Sequence, residues 1–241
     1  MQNLQKSEKV IARSNSGDIL SVHSIFKTIQ GEGPFCGQAA VFIRLAGCNL
    51  QCPKCDTDYT NNRYDRTPDQ ITELAHEFAE TLHCRIQLVV ITGGEPFRQN
   101  LGPLILELQQ VFDTVQVETN GTLPPPEGIA WATNPHHLGN FIVVSPKTGS
   151  VHKKIQQNAC AFKYVVSSSE TSREGLPQTA LGHSAKPALF FNSKMHLPVY
   201  IQPADEKDPE LNAKNLQAAI DLCYSHGMIL QLQIHKIIGV E

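Results

Sequence analysis

Three cysteines stand close together in one short stretch of the chain, at Cys48, Cys52 and Cys55. Their C-x3-C-x2-C spacing allows a single loop to wrap three sulfurs around one inorganic centre. Thiolates are soft ligands, so the candidate centres are a zinc ion and an iron–sulfur cluster. Clustered cysteines in a chain of cytosolic character indicate a metal centre more often than disulfides.

The fourth ligand separates these two kinds of centre. A structural zinc ion is closed by four protein ligands, and its second pair usually comes from another C-x2-C or from histidines. The sequence has no second C-x2-C, and Cys36 is the nearby candidate that would close a zinc site. If Cys36 is not a ligand, three thiolates leave one iron of a four-iron cluster open to bind a small molecule. The cysteine spacing alone does not decide between a zinc ion and a cluster.

The composition is that of an ordinary globular protein. The chain has 241 residues, of which 41% are hydrophobic and 18% charged, with a net charge of −3. It contains no basic run and no apolar run of about 18 residues, so we expect neither a nucleic-acid partner nor a membrane span. Residues 1–18 lack the apolar core of a signal peptide. We expect a flexible leader over residues 1–18, one domain over residues 19–241, and a cytoplasmic location whose reducing conditions suit thiolate ligands.

Apolar runs and helical patterns alternate along the chain. A capping box at Thr67 and Gln70 predicts the start of a helix, and Ile71, Leu74, Phe78 and Leu82 would form its apolar face. Strands are predicted at residues 19–26, 41–46, 86–92, 115–119, 141–145, 162–166, 199–202 and 228–234. This alternation predicts an α/β fold with a parallel sheet.

Polar motifs that contain Gly or Pro follow directly after several of the predicted strands. Besides the cysteine stretch, they are GGEP at 93–96, ETNG at 118–121, SPKTG at 145–149 and QPAD at 202–205. In parallel α/β folds the carboxyl ends of the strands hold the active site. The glycines of GGEP expose backbone groups that can pair with the amino and carboxylate groups of an amino acid. The pattern therefore predicts an enzyme.

The C-x3-C-x2-C motif resembles the cluster motif of radical S-adenosylmethionine (SAM) enzymes, with Lys54 where members usually carry an aromatic residue. GGEP adds to the resemblance, because those enzymes hold the methionine amino group of SAM with it. The resemblance implies an incomplete parallel (β/α) TIM-like barrel, a [4Fe-4S] cluster on Cys48, Cys52 and Cys55, and bound SAM. The SAM contacts that it implies are Lys54, Asp56, Gly94, Glu95, Ser145, Pro146, Lys147, Gln202, Pro203 and Asp205.

Four further features resemble the family of 7-carboxy-7-deazaguanine synthases: QGEG at 30–33, Arg44, the pair Asp56-Thr57, and the terminal segment from Gln233. The resemblance runs from about residue 21 to residue 241. It implies a carbon–nitrogen lyase that contracts the ring of 6-carboxy-5,6,7,8-tetrahydropterin to 7-carboxy-7-deazaguanine with loss of ammonia, on the route to deazapurine tRNA nucleosides such as queuosine. It places Mg2+ at Thr57, and substrate contacts at Ile29, Gln30, Gly31, Glu32, Arg44, Thr92, His235 and Glu241.

These residue types suit a pterin carboxylate. Gln30 and Glu32 offer donors and acceptors for the aminopyrimidinone edge of the ring. Arg44 lies within an apolar strand, where its charge must pair with a protein carboxylate or with an anionic ligand. Magnesium keeps several waters and needs few protein ligands, so Thr57 can be its one protein ligand. Asp56 would then orient the groups bound to the ion without binding the ion directly. The resemblance also implies a homodimer and a reducing electron donor such as flavodoxin or ferredoxin.

Two alternatives belong to other classes. A glycyl-radical activating enzyme shares the cysteine motif and a similar glycine-containing approach to it, but acts on a protein backbone; Asp56-Thr57 and the QIHK sequence at 233–236 argue against it. A zinc-stapled binding module would use Cys36 as its fourth ligand and would not bind SAM.

Overall fold

The computed structural model describes residues 5–9, 16–190 and 197–240. Its strands are β1 (Leu20–Ile29), β2 (Ala39–Leu45), β3 (Tyr64–Arg66), β4 (Leu88–Gly93), β5 (Thr114–Thr119), β6 (Gly139–Val144), β7 (Ala159–Val166), β8 (Val199–Pro203) and β9 (Ile229–Leu230). Its helices are α1 (Pro68–Ala79), α2 (Gly102–Leu108), α3 (Lys153–Asn158), α4 (Pro209–His226) and α5 (Ile234–Ile238). Short 3-10 turns lie at Gly33–Phe35, Pro96–Arg98 and Ser168–Glu170.

The described strands form one open sheet in the order β3-β1-β2-β4-β5-β6-β7-β8-β9. Neighbours from β2 to β9 run parallel, whereas β1 pairs antiparallel with both β2 and β3. The predicted α/β class and incomplete parallel barrel are therefore confirmed. In this sheet the carboxyl ends of β2 and β4 to β8 meet at one edge, where the polar motifs follow.

Alternation along the strands assigns one side of the sheet to the helices and the other to the barrel interior. Val41 and Ile43 of β2 are fully buried in the cluster that includes helix residues Ile71 and Leu104. The opposite side is apolar at its lower end, where a second buried cluster includes Ala40, Leu88, Val90 and Phe141. Towards the carboxyl ends the same side becomes polar, and this change of chemistry along the strands creates a site above an apolar floor.

The first helix begins as predicted and buries a different face. Thr67 and Gln70 form the capping box, with each side chain accepting a hydrogen bond from the other residue's backbone. Ile71 is buried together with Ala75 and Ala79, whereas Phe78 is 40% exposed. Leu82 is 96% exposed because the helix ends at Ala79, so the prediction of Phe78 and Leu82 as core residues is wrong.

The predicted strand at residues 228–234 is also mostly wrong. Only Ile229 and Leu230 pair with β8, at the edge of the sheet, and α5 then begins at Ile234. The period-two pattern of that stretch does not mark a buried strand, since Ile229, Leu230 and Leu232 are all more than a third exposed. Within the described parts of the chain, no helix is both long and apolar enough to cross a membrane.

Candidate active site

A cavity of about 410 Å³ opens at the carboxyl ends of the strands. On one side of it lies the cysteine loop (residues 47–59), which follows β2. Opposite lies the polar wall, a set of side chains on or beside the strands: Gln30, Glu32, Arg44, Thr92, Glu118 and Lys163. The cavity thus brings together the predicted metal ligands and most of the predicted substrate contacts.

The three clustered cysteines all line this cavity, with Cys48 and Cys52 each only 7% exposed. Burial raises the pKa of the Cys48 thiol to about 12 and that of Cys52 to about 11, and it raises the pKa of Cys55 as well. Lys147 opposes the shifts at Cys52 and Cys55. Such thiols stay protonated at neutral pH unless a metal centre binds them as thiolates, which metal ions do outright.

The donor set suits a cluster better than a single zinc ion. Cys36 does not line the cavity; it follows the turn at Gly33–Phe35, and its thiol interacts with Gln231. Among the described residues, no three His, Cys, Asp or Glu side chains are grouped so as to hold one metal ion. A four-iron cluster is larger and holds its thiolates farther apart, each on its own iron. Cys48, Cys52 and Cys55 therefore fit a cluster with one iron free of protein ligands.

The GGEP motif packs directly against the cysteine loop. A Cβ on Gly94 would lie 2.1 Å from the Gly47 carbonyl oxygen, and a Cβ on Gly93 would lie 2.1 Å from the Leu45 carbonyl oxygen. Only glycine permits this approach of two backbones, and at Gly93 φ is also +122°. Gly94 lines the cavity, so this turn presents backbone beside the thiols.

Glu95 faces into the protein, not into the cavity. It is fully buried, and its carboxylate accepts hydrogen bonds from Phe97 N at 3.1 Å, Thr119 Oγ1 at 2.7 Å and Asn120 N at 2.8 Å. Burial raises the pKa of Glu95 to about 7, although the three hydrogen bonds lower it. The side chain therefore ties GGEP to the ETNG motif, and a contact of Glu95 with SAM would have to use its backbone.

Residues of the predicted leader hold the far side of the cysteine loop. Glu8 N donates to Cys48 O at 2.6 Å, and Gln5 exchanges hydrogen bonds with Thr57 O and Tyr59 N at 2.9 and 2.7 Å. The buried Arg98 guanidinium donates to Lys9 O and Ala46 O and lies 3.4 Å from the Glu8 carboxylate. The flexibility of residues 1–18 as a whole stays a prediction, but Gln5, Glu8 and Lys9 have defined partners.

Most of the predicted SAM contacts line the cavity; Glu95, Pro146 and Pro203 do not. Lys147 is partly buried beside Ser145, and its Nζ donates to the Ser145 carbonyl oxygen at 2.9 Å. The Lys54 ammonium instead pairs with Glu206 at 2.8 Å. Gln202 lines the cavity and its buried Oε1 has no hydrogen-bond partner within the described structure, as expected of a group that awaits a ligand donor.

Glu118 is the centre of the polar wall. Its carboxylate accepts hydrogen bonds from Gln30 Nε2 at 3.1 Å, Thr92 Oγ1 at 3.1 Å and Gln116 Nε2 at 2.9 Å. Burial raises its pKa. Arg44 stands nearby on β2, with its guanidinium 4.9 Å from the centroid of the Phe26 ring. The network fixes two predicted substrate contacts, Gln30 and Thr92, on one buried carboxylate.

A second carboxylate, Glu32, is held between two side chains from distant parts of the chain. Lys163 Nζ forms an ion pair with Glu32, and Gln233 Nε2 donates to it at 2.7 Å. Burial, reinforced by the charge of Lys236, lowers the pKa of Lys163 to about 8. This arrangement places a cation at the wall that faces the predicted pterin edge.

Helix α5 closes over the cavity. His235 packs on Gly31, where a Cβ would lie 1.9 Å from the imidazole Nδ1, so the glycine makes room for the ring. Lys236 reaches Asp56 at 3.4 Å and Asp205 at 3.5 Å, which connects α5 to the cysteine loop and to the loop after β8. Gly31 itself does not line the cavity, and Glu241 lies outside the described residues.

The two residues predicted for magnesium, Asp56 and Thr57, also lie at this opening. Thr57 Oγ1 is 3.4 Å from Asp56 Oδ1, and both residues line the cavity. Two of the cavity residues outside the predicted contacts, Lys163 and Gln233, hold the Glu32 carboxylate. Lys163 could have been identified from the sequence by the argument used for Arg44. A charged residue in an otherwise apolar strand is costly unless it has a partner.

Comparison with known proteins relates the whole chain to one group. The model of the radical SAM superfamily matches residues 42–174. The 7-carboxy-7-deazaguanine synthase of Rhodospirillum rubrum is 36% identical over 230 residues, 93% of this chain and 94% of its own. That of Rickettsia prowazekii is 37% identical over 234 residues, 95% of this chain and 92% of its own. The crystal structure of QueE from Escherichia coli has a similar fold, with a TM-score of 0.63 and 21% identity over 89% of this chain and 94% of that one.

Proposed function

Since the chain belongs to the family of 7-carboxy-7-deazaguanine synthases within the radical SAM superfamily, we propose that it contracts the ring of 6-carboxy-5,6,7,8-tetrahydropterin. The products are 7-carboxy-7-deazaguanine and ammonia, and the activity is that of a carbon–nitrogen lyase in deazapurine biosynthesis. The observation that carries the proposal is the single cavity in which three clustered thiols face the polar wall.

A radical SAM enzyme uses a four-iron cluster and SAM, which when bound supply a 5′-deoxyadenosyl radical that takes hydrogen from the substrate. Cys48, Cys52 and Cys55 are the proposed cluster ligands. Lys147 is placed to neutralise the SAM carboxylate, and Gln202 has an unsatisfied acceptor for its adenosine half. The backbone at Gly94 lies beside the cysteines for the methionine amino group.

On the polar wall, the side chains hold the pterin. Gln30, fixed on Glu118, and Glu32, fixed by Lys163, provide the hydrogen-bonding edge for the aminopyrimidinone ring. Arg44 provides a charge-assisted partner for the substrate carboxylate. Thr57, with Asp56 beside it, is the proposed magnesium ligand, the remaining positions being filled by water and substrate oxygens.

The closing of the cavity by α5 favours a small-molecule substrate over a protein backbone. His235 seats on Gly31, and Lys236 joins α5 to two loops of the cavity rim. A glycyl-radical activating enzyme must admit a segment of its partner protein to the site. Here α5 of the enzyme itself lies at that opening.

Three further features belong to the proposal. All seven cysteines are free, which suits the reducing conditions of the cytoplasm. A one-electron protein donor, of the flavodoxin or ferredoxin class, would reduce the cluster. Apolar side chains near the chain terminus, with Ile237 at 68% and Ile238 at 53% exposure, offer a surface for a homodimer.

The experiment is an anaerobic assay of the protein reconstituted with iron and sulfide, then given a reductant, SAM, magnesium and 6-carboxytetrahydropterin. Mass spectrometry is expected to find a product lighter than the substrate by one ammonia, with activity reduced when magnesium is omitted. Formation of 5′-deoxyadenosine without that product would keep the radical SAM class and overturn the substrate. A colourless protein that binds zinc and no SAM would overturn the proposal as a whole.

A further inference from the structure

The segment after β7, residues 168–186, covers the outer face of the cysteine loop. Lys54 N donates a hydrogen bond to Leu181 O at 3.0 Å. Gly182 lies beside Pro53, where a Cβ would come within 3.2 Å of the proline Cβ. The loop that carries the proposed cluster ligands is therefore held from outside by a segment that comes more than a hundred positions later in the chain.

His183 stands at the point where this segment meets the loop. Its Nε2 lies 3.1 Å from Cys52 Sγ. Leu181 and Gly182 have positive φ angles of +52° and +78°, so the chain turns back on itself just before the histidine. The backbone N of His183 closes that turn by donating to Ala180 O at 3.1 Å, and Ala180 is buried. The turn fixes the imidazole against the sulfur.

His183 reaches the sulfur from outside the reaction chamber. Cys52 and Leu181 line the cavity, whereas His183 does not. The imidazole is only half-buried, in contrast to Cys52. It is therefore placed to act on a proposed cluster ligand without touching SAM or the substrate, which makes it a positioning residue and not a catalytic one.

We infer that His183 donates an Nε2–H hydrogen bond to the Cys52 thiolate of the loaded enzyme and thereby raises the reduction potential of the cluster. The inference rests on the proposed cluster ligands. Reduction transfers one electron from an external protein donor to the cluster, whose net charge becomes more negative by one. A hydrogen-bond donor at a ligand sulfur stabilises this more negative form, and hydrogen bonds of that kind are among the factors that set cluster potentials.

The test is an EPR-monitored redox titration of the reconstituted full-length enzyme, without substrate. The variants are His183→Ala, which removes the donor, and His183→Gln, which keeps an N–H donor. Ser184→Ala is the matched control, because this exposed neighbour lies in the same segment. At a fixed potential we expect the ratio of reduced to oxidised cluster in His183→Ala to be about tenfold lower than in the wild type. For one electron this corresponds to a midpoint potential lower by about 59 mV. His183→Gln and Ser184→Ala should stay near the wild type.

Each outcome decides the matter. An unchanged midpoint in a fully loaded His183→Ala enzyme would overturn the inference and leave the proposed function standing. If His183→Ala binds less iron than the wild type and His183→Gln does not, the result would support the hydrogen bond. An equal loss of bound iron in both variants would contradict it. The expected shift in His183→Ala, together with a wild-type enzyme that forms no ring-contracted product, would overturn the proposed substrate and leave this inference standing.

Discussion

The two sides of the cavity are built from different kinds of chain. The cysteine loop is irregular backbone whose position depends on other segments, including Glu8, Gly94 and Leu181. The polar wall consists mainly of side chains on strands, whose spacing the sheet itself fixes. A site on regular elements is held by their own ladders, whereas a loop needs contacts from outside. We therefore expect substitutions in the cysteine loop to impair cluster binding and substitutions on the polar wall to impair substrate binding.

The largest effect is expected from removing a thiol on the loop side. Cys52→Ala should reduce cluster iron to background and abolish both SAM cleavage and product formation, because two thiolates cannot replace three. Iron analysis, the visible spectrum and mass spectrometry measure these losses. Cys36→Ala is the matched control and should load normally, since Cys36 does not line the cavity. Equal loss of metal in both variants would support the alternative of a zinc site with Cys36 as its fourth ligand.

On the polar wall, Lys163→Met should leave the cluster intact and weaken substrate binding. The change leaves the Glu32 carboxylate, whose side chain is 12% exposed, without its cation. A hydrogen bond to a charged group contributes about 1.5–3 kcal/mol, so a misplaced Glu32 should lower substrate affinity roughly 10- to 100-fold. Substrate titration and KM measure the effect. Lys163→Arg should recover part of it, and Lys27→Met, an exposed lysine on β1, should have none. Loss of iron in Lys163→Met would contradict the separation of the two sides.

An intermediate effect is expected from the residue that supports the loop at a distance. Arg98→Met removes the donors to Lys9 O and Ala46 O and the cation 3.4 Å from the Glu8 carboxylate, and it leaves Ala46 O with the longer bond from Gln99 Nε2 at 3.5 Å. A cost of about 2 kcal/mol corresponds to a fall of about 4–8 °C in Tm for a chain of this size. Differential scanning calorimetry measures it, and cluster content should fall in parallel. Arg85→Met, at an exposed position, is the control. An unchanged cluster content would show that the loop does not need this support.

The smallest effect is a pH dependence on the polar wall. Burial lowers the pKa of Lys163 to about 8, so its charge is present below about pH 8 and is lost as the pH rises above it. Substrate affinity should therefore decrease a few-fold as the pH rises from about 7 to about 9. Lys163→Arg stays charged throughout this range, so the inflection should vanish in its KM–pH profile. An inflection that persists in Lys163→Arg would assign it to another group.

Much of the framework can be predicted from local patterns. The capping box at Thr67, the buried strand β4 and the position of the cysteine loop after β2 all depend on residues that are close together in the sequence. The same holds for the polar motifs, because the carboxyl ends of parallel strands always meet at one edge of the sheet. These motifs therefore assemble into one cavity without any knowledge of distant contacts.

What could not be predicted depends on contacts between distant segments. Lys163 points into the cavity because β7 lies between β6 and β8, and the side that a strand residue faces is not set by its own sequence alone. Glu95 looks like a ligand residue in its motif, and only the positions of Thr119 and Asn120 show that it is a structural acceptor. The period-two pattern after Met228 predicts a strand, but at the sheet edge β9 has one neighbouring strand and pairing stops at Leu230.

Under the proposed function, the cysteine loop holds the cluster that generates the radical, and the polar wall holds the pterin that receives it. The most direct test measures product and 5′-deoxyadenosine together, in one anaerobic assay, for the wild type and for Glu32→Gln. The resemblance to the synthase family implies that SAM is regenerated, so the wild type should form ring-contracted product with little 5′-deoxyadenosine. Glu32→Gln should retain its cluster and accumulate 5′-deoxyadenosine with little product. A parallel fall of both products in a fully loaded Glu32→Gln enzyme would contradict the division of roles between the two sides.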